Sequence, residues 1–190
     1  MNTKTAPSAQ PEALASTTPS RETTAPWLWA AAPDTPLTED NHPFSGKWIW
    51  FSPLSLLDAS WTTIRAATED GLLGYRSKAG TLINTRPKSD NTRRPICVYT
   101  RDWRDIDDVQ RALTSLRALG IVDVLLYKTD SDTLNGRYGT GASTFVAPAA
   151  KKKLVIPQRT REALEHHHAA RTQARRAAAA RRKTAAPKHT

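Results

Sequence analysis

The stretch Tyr127-Lys128-Thr129-Asp130 sets a cation, a hydroxyl and a carboxylate at the end of an apolar run, and Gly136-Arg137-Tyr138 follows close behind. That combination suits a phosphate, which arginine grips bidentately and lysine meets as a point charge. Loops at strand ends are also where binding groups concentrate. The competing reading is a solvated turn in which Asp130 and Asp132 bond nearby backbone amides. Six tryptophans widen the possibilities. With Lys47, Lys78, Arg86, Lys128 and Arg137 near predicted strand ends, Trp48 and Trp50 would build an aromatic and basic surface for a nucleotide, each stacked base contributing about 1–3 kcal/mol. Core packing of Trp48, Trp61 and Trp103 is the alternative. Strand alternation puts Trp48 and Trp50 on one face of a sheet and Lys47 and Ile49 on the other.

Other reactive side chains are sparse. The single cysteine, Cys97, lies in the apolar run Pro95-Ile96-Cys97-Val98-Tyr99, which reads as a buried structural thiol with no metal-ligand spacing. The histidines at positions 166 to 168 are adjacent, so on a helix they diverge and hold no metal together. Neither a metal nor another cofactor is expected, and no catalytic constellation compels an enzyme.

Charge divides the chain at Pro148. Residues 1–147 hold 16 basic and 16 acidic side chains, whereas residues 148–190 hold the remaining 12 of 28 basic ones against 2 of 18 acidic ones. The whole excess of +10 is therefore in the tail, whose field attracts polyanions and says nothing of the fold. Lys151, Lys152, Lys153, Arg175, Arg176, Arg181, Arg182 and Lys183 are the residues expected to give nonspecific nucleic-acid contact. No stretch approaches the ~18 apolar residues of a membrane span, and residues 1–25 lack a signal-peptide core. The expected location is the cytoplasm, with no membrane partner.

The elements that must position these groups follow from periodicity. Residues 1–25, rich in Thr, Ser, Pro and Ala, read as disordered. Order is expected from Pro26, where Trp27 and Trp29 need apolar surroundings. Gly46 to Phe51 reads as a strand. Ser52 then stands where a helix cap belongs, with Pro53 at the first helical position. Leu54, Leu57, Trp61 and Ile64 form the helix's apolar face, and Gly71 ends it. Tyr75 to Asn84 and Pro95 to Thr100 read as further strands. Asp105 caps a second helix whose core face is Ile106, Val109, Leu113, Leu116 and Leu119, with Gly120 at its end. Ile121 to Tyr127 is a buried strand. Two helices covering one face of a mostly antiparallel sheet make an α+β layer architecture. Residues 26–147 form the domain, and residues 148–190, Ala/Arg-rich and lacking an apolar stripe apart from Leu164, form a tail that is disordered or transiently helical.

Four strings carry a resemblance: Ser45-Gly46-Lys47-Trp48, the Trp61 and Ile64 helix ending in Gly71-Leu72-Leu73-Gly74, Val98-Tyr99-Thr100-Arg101-Asp102-Trp103, and Tyr127-Lys128-Thr129-Asp130 followed by Gly136-Arg137-Tyr138. In this order they resemble the basophilic-leukaemia-expressed protein family, whose bacterial members often carry a phosphothreonine lyase label, over about Trp27 to Tyr138. The resemblance implies a fold like that of translation initiation factor 4E, a curved antiparallel sheet backed by helices. The tryptophan pair and glutamate with which those factors hold the cap have no counterpart here, so cap binding is not carried over.

The expectation is a binding module for a nucleotide, RNA or other phosphate-bearing ligand, contacted by Lys47, Trp48, Trp50, Lys78, Tyr127, Lys128, Asp130, Arg137 and Tyr138. One alternative, implied by the lyase label, is elimination of phosphate from phosphothreonine with Lys78 or Lys128 as base and Arg137 holding phosphate. His42, the domain's one histidine, has no Lys/His/Arg motif around it. The other alternative is a protein-interaction module using the surface around Trp61.

Overall fold

Alternation in the aromatic run Gly46–Pro53 sets the two faces of the sheet. In this strand, β2, Trp48 and Trp50 are buried on one face while Lys47, Ile49 and Phe51 take the other. The computed structural model describes residues 17–35, 44–83, 91–136 and 140–184. Besides β2 its strands are β1 (Trp27–Ala31), β3 (Arg76–Gly80), β4 (Arg93–Thr100), β5 (Leu125–Thr129) and β6 (Phe145–Ala147). They form one sheet in the order β1-β3-β4-β2-β5-β6, antiparallel at every pairing. The outer strands β1 and β6 extend the four expected from periodicity, and a bridge from Val146 to Val155 continues the β6 edge.

Two helices cover the Trp48 face. In α1 (Leu54–Glu69) the buried positions include Leu57, Trp61 and Ile64, and in α2 (Ile106–Ala118) they are Val109, Ala112, Leu113 and Leu116. These pack on Trp48, Trp50, Val98, Tyr127 and Phe145 from the sheet. Trp48 fixes its orientation by donating its indole N–H to the carbonyl of Val109 at 3.0 Å and meeting Tyr127 edge-on, ring centres 5.2 Å apart. The helix ends follow local chemistry. The Asp105 carboxylate accepts from the Asp108 amide at 3.1 Å, and Gly71 and Gly120 take the left-handed φ values of 72° and 84° that end α1 and α2. One expectation is corrected: Ser52 does not cap α1. Strand β2 runs on through Pro53, so the helix starts at Leu54 and the Ser52 hydroxyl instead lies near the Pro53 carbonyl and Ser60.

Residues 17–25 make turns against α1 and the sheet: the Ser20 amide donates to Asp58 at 2.9 Å and the Thr81 hydroxyl to the Ala25 carbonyl at 2.7 Å. The Glu22 carboxylate accepts the Thr24 hydroxyl and the amides of Ala25 and Thr24, and these bonds, the hydroxyl's foremost, hold its pKa down to about 2. After β5 comes a short helix, α3 (Asp130–Leu134), capped by the Thr129 hydroxyl, which accepts from the Asp132 amide at 3.0 Å. The tail contains α4 (Gln158–Thr184). Its first turns dock through buried Thr160, whose hydroxyl donates to the Thr144 carbonyl at 2.8 Å, and through Leu164 against the core. Among the described residues no helix is long and apolar enough to cross a membrane.

Candidate ligand-binding face of the sheet

The face of the sheet turned away from α1 and α2 carries two cross-strand rows. Antiparallel register places Arg76, Tyr99, Lys47 and Lys128 side by side across β3, β4, β2 and β5. The next row runs Trp29, Lys78, Cys97, Ile49, Leu126 and Val146. The face therefore changes character along the second row, from aromatic and cationic at the β1 edge to aliphatic at the β6 edge. Phe51, about half exposed, extends the apolar half along β2.

In the cationic half each charge lies on a ring. The Lys78 ammonium is 4.1 Å from the centre of Trp27 and 4.8 Å from that of Trp29, its direct partner across the strand pair. The Arg76 guanidinium is 5.0 Å from Trp29 and 5.3 Å from Tyr75, and that of Arg101 is 4.7 Å from Tyr75. Trp29 stacks on Tyr99 with centres 5.9 Å apart. Contacts of this kind stabilise a partly desolvated cation by about 0.5–2 kcal/mol each, so they hold like charges together that would otherwise separate.

Depth sorts these groups. Lys47, Arg76, Tyr75, Cys97, Tyr99, Lys128 and Asp130 are buried, whereas Trp27 and Lys78 are partly exposed and Trp29 is 38% exposed. Lys47 and Lys128 are opposed across β2 and β5, a repulsive arrangement in isolation. Asp130, at the start of α3, offsets it: its carboxylate forms an ion pair with Lys47 and accepts the Ser45 hydroxyl, while its own amide donates to the Ser45 carbonyl at 2.9 Å. Burial holds the Lys78 ammonium below its ordinary pKa, with the charges of Lys47 and Arg76 pushing the same way and Asp130 opposing. Burial raises the Tyr75 and Tyr99 phenols, so both stay neutral donors at physiological pH. Such a face can take an anion at Lys78 and lay a flat group against Trp29.

The sequence-nominated residues thus divide. Lys47, Lys78, Lys128 and Asp130 share the helix-free face. Trp48, Trp50 and Tyr127 lie on the other, buried under the helices, and the Tyr127 hydroxyl is 2.6 Å from that of Thr100, so none of the three can meet a surface ligand. The physical reason is the two-residue period that already separated Lys47 from Trp48. Asp130 bonds a hydroxyl and an ammonium, and it is Asp132 that occupies the local turn, accepting the Thr129 hydroxyl at 2.9 Å. Arg86, Arg137 and Tyr138 lie outside the described residues. In the tail, Lys151, Lys152 and Lys153 are exposed before α4, Arg175, Arg176 and Arg181 are exposed on it, and Arg182 and Lys183 fall in its last turn. Among the described residues no group of three His, Cys, Asp or Glu side chains could hold a metal ion.

The residues missed by sequence reasoning are Trp27, Trp29, Arg76, Tyr75, Tyr99 and Arg101. Alternation in Arg76-Ser77-Lys78-Ala79 was the available signal, because it sets both cations on the face opposite two small residues.

Together these features define an α+β domain with one antiparallel sheet, helices on one face and a cationic–aromatic cluster on the other. The family model for basophilic leukemia-expressed protein Bles03 matches residues 35–134, more than half of the chain. The chain belongs to that family. The match takes in Lys47, Arg76, Lys78 and Asp130 and leaves out β1, with Trp27 and Trp29, and all of α4.

Proposed function

We propose that this protein is a noncatalytic binding module that takes a nucleotide, RNA or other phosphate-bearing ligand on the helix-free face of its sheet, with the basic tail adding nucleic-acid contact. The observation that carries the reading is the Lys78 ammonium held over Trp27 and Trp29 at a partly exposed edge, with Arg76 and Lys47 behind it. A phosphate at Lys78 would gain a charge-assisted bond in low-dielectric surroundings, and the exposed part of Trp29 offers a stacking surface for a base. The layered antiparallel architecture also supports kinship in fold with translation initiation factor 4E. A single cysteine, Cys97, buried in the sheet, gives the domain no intrachain disulfide, which fits a cytoplasmic site of action.

The test is calorimetric titration of the full chain with inorganic pyrophosphate, nucleoside mono- and triphosphates and a short single-stranded RNA, followed in parallel by tryptophan fluorescence. Saturable binding of at least one of them, with a change in indole emission that Trp29→Ala abolishes, is the expected result. Absence of binding across the set at low salt overturns the reading.

A second reading has one observation in its favour: the lowered pKa of Lys78 suits a general base, as a phosphate-eliminating lyase requires. It is distinguished by mass spectrometry of a phosphothreonine peptide incubated with the protein. Loss of phosphoric acid to leave a dehydrated residue identifies the lyase, and an unchanged peptide excludes it.

A further inference from the structure

Helix α4 changes its environment part of the way along. At its start Thr160 and Leu164 are anchored to the domain, and His167 is half-buried. From Ala169 to Ala179, and again at Arg181, the side chains are exposed. The chain composition changes at the same point: after Glu165 residues 166–190 contain seven Lys and Arg and no acidic residue. Residues 169–184 span about 24 Å at about 1.5 Å per residue.

What this half of the helix offers a partner is narrow. Between Ala169 and Arg181 the uncharged positions are Ala apart from Thr172 and Gln173, and the Thr172 hydroxyl is already bonded to the His168 carbonyl at 2.9 Å. There is no apolar side chain larger than a methyl for a protein groove or an acyl chain to grip, so attraction must be electrostatic. The cations are also spread round the helix. At about 100° per residue, Arg175, Arg176 and Arg181 lie about 40°, 140° and 280° from Arg171. A flat acidic surface could meet only one side of that arrangement. A groove walled by phosphates on both sides meets all of it, and the alanines let the helix sink in.

We infer that the exposed half of α4 is an arm that lies in the major groove of B-form DNA, its arginines reaching the phosphates of both strands. This rests on the reading of the tail as a nucleic-acid contact and gives it a form and a partner. The groove, about 12 Å wide, admits a helix whose diameter with side chains is about 10–12 Å. The A-form RNA major groove is too deep and narrow for the same fit. With the arginines directed to phosphates, the contact is to the backbone and tolerant of sequence.

The experiment measures fluorescence anisotropy of a short labelled DNA duplex with the full chain over a range of salt, with unlabelled DNA and RNA duplexes as competitors. The chain carrying R171Q, R175Q, R176Q and R181Q keeps good helix formers at all four positions. Its log–log salt slope should be shallower by about 3.6, since each cation contributes about 0.9. A second variant, Ala174→Pro, keeps every charge and breaks the helix. It should weaken DNA binding at least tenfold, with helix loss confirmed by circular dichroism. An unchanged slope in the first variant, unchanged affinity in the second, or equal competition by the RNA duplex overturns the inference. Pyrophosphate titration of both variants separates this from the sheet-face reading, because binding there should be untouched by either change. Loss of pyrophosphate binding in wild type with DNA binding retained would sink only the sheet-face reading.

Discussion

Lys78 is where stability and binding oppose one another. Its ammonium is drawn into a partly buried site by two indoles, yet burial still holds its pKa below that of a free lysine. The unfolded chain therefore binds more protons than the folded one between the two pKa values, so this group's contribution makes stability rise with pH through that window, and below it the penalty is present in full. Lys78→Met removes the charge and keeps an apolar stem against Trp27 and Trp29. We expect the variant to melt a few degrees higher at neutral pH while binding pyrophosphate about ten- to hundredfold more weakly, the loss of one charge-assisted bond of about 1.5–3 kcal/mol. Differential scanning calorimetry and titration calorimetry on the same sample check both. A variant that binds as wild type removes Lys78 from the site. The same geometry sets a preference: a cation already fills the space over the two indoles, so the ligand's charge there must be negative. This chemistry was only partly legible in the sequence. Lys47, Lys78, Lys128 and Asp130 could be nominated as charges near strand ends, but which aromatics they meet depends on register between strands far apart in the chain, as with Trp29 and Lys78. Composition does not encode that pairing.

At the level of elements the local signals were reliable where a side chain acts on its own helix. Asp105 is such a case and Ser52 is not, and the difference can be measured. Asp105→Ala should cost about 1 kcal/mol, the usual value of a helix N-cap, whereas Ser52→Ala should cost less than half of that because no α1 amide depends on its hydroxyl. Chemical denaturation of the two variants decides it, and equal losses would restore Ser52 as a cap. Gly74 makes the complementary point about strands. A Cβ there would sit 1.7 Å from the Tyr99 carbonyl oxygen, the same oxygen that accepts the Tyr75 amide at 3.1 Å. Gly74→Ala must therefore push the backbone away from β4 at the position where Tyr99 supports Trp29, Arg76 and Lys78. A loss of about 3 kcal/mol is expected, at the upper end of what overpacking usually costs, with weakened pyrophosphate binding alongside. Full stability in this variant would mean that the approach of residue 74 to β4 is looser than the structure has it. Nothing in Gly71-Leu72-Leu73-Gly74 marks the second glycine as different from the first. Gly71 is needed for its positive φ and Gly74 for the space it leaves, and only the tertiary contact distinguishes them.

Over the whole molecule the two binding surfaces differ in kind, and salt should separate them. Residues 1–147 are formally neutral, and the cations of the sheet face lie among aromatic rings with a carboxylate beside them. Buried and partly buried charges of this kind are less screened than fully exposed ones, so pyrophosphate affinity should fall less steeply with added salt than polyanion binding by the tail. The tail carries the entire net charge of +10, and α4 presents Arg171, Arg175, Arg176 and Arg181 to solvent, so polyanion binding there proceeds by counterion release and should fall steeply. The bulk division was legible in the sequence because charge counts need no structure. The geometry was not, since the anchoring of α4 depends on Thr160 and Leu164 meeting surfaces made by Thr144 and the distant core. If the surfaces act separately, combining Lys78→Met with the four arginine substitutions should give losses for each ligand equal to those of the corresponding single set, within about 0.3–0.5 kcal/mol. The measurement is a pair of titrations, pyrophosphate and duplex DNA, on wild type, each variant and the combination. A coupling larger than that margin would mean that one polyanion bridges the sheet face and the arm, making them two halves of a single site.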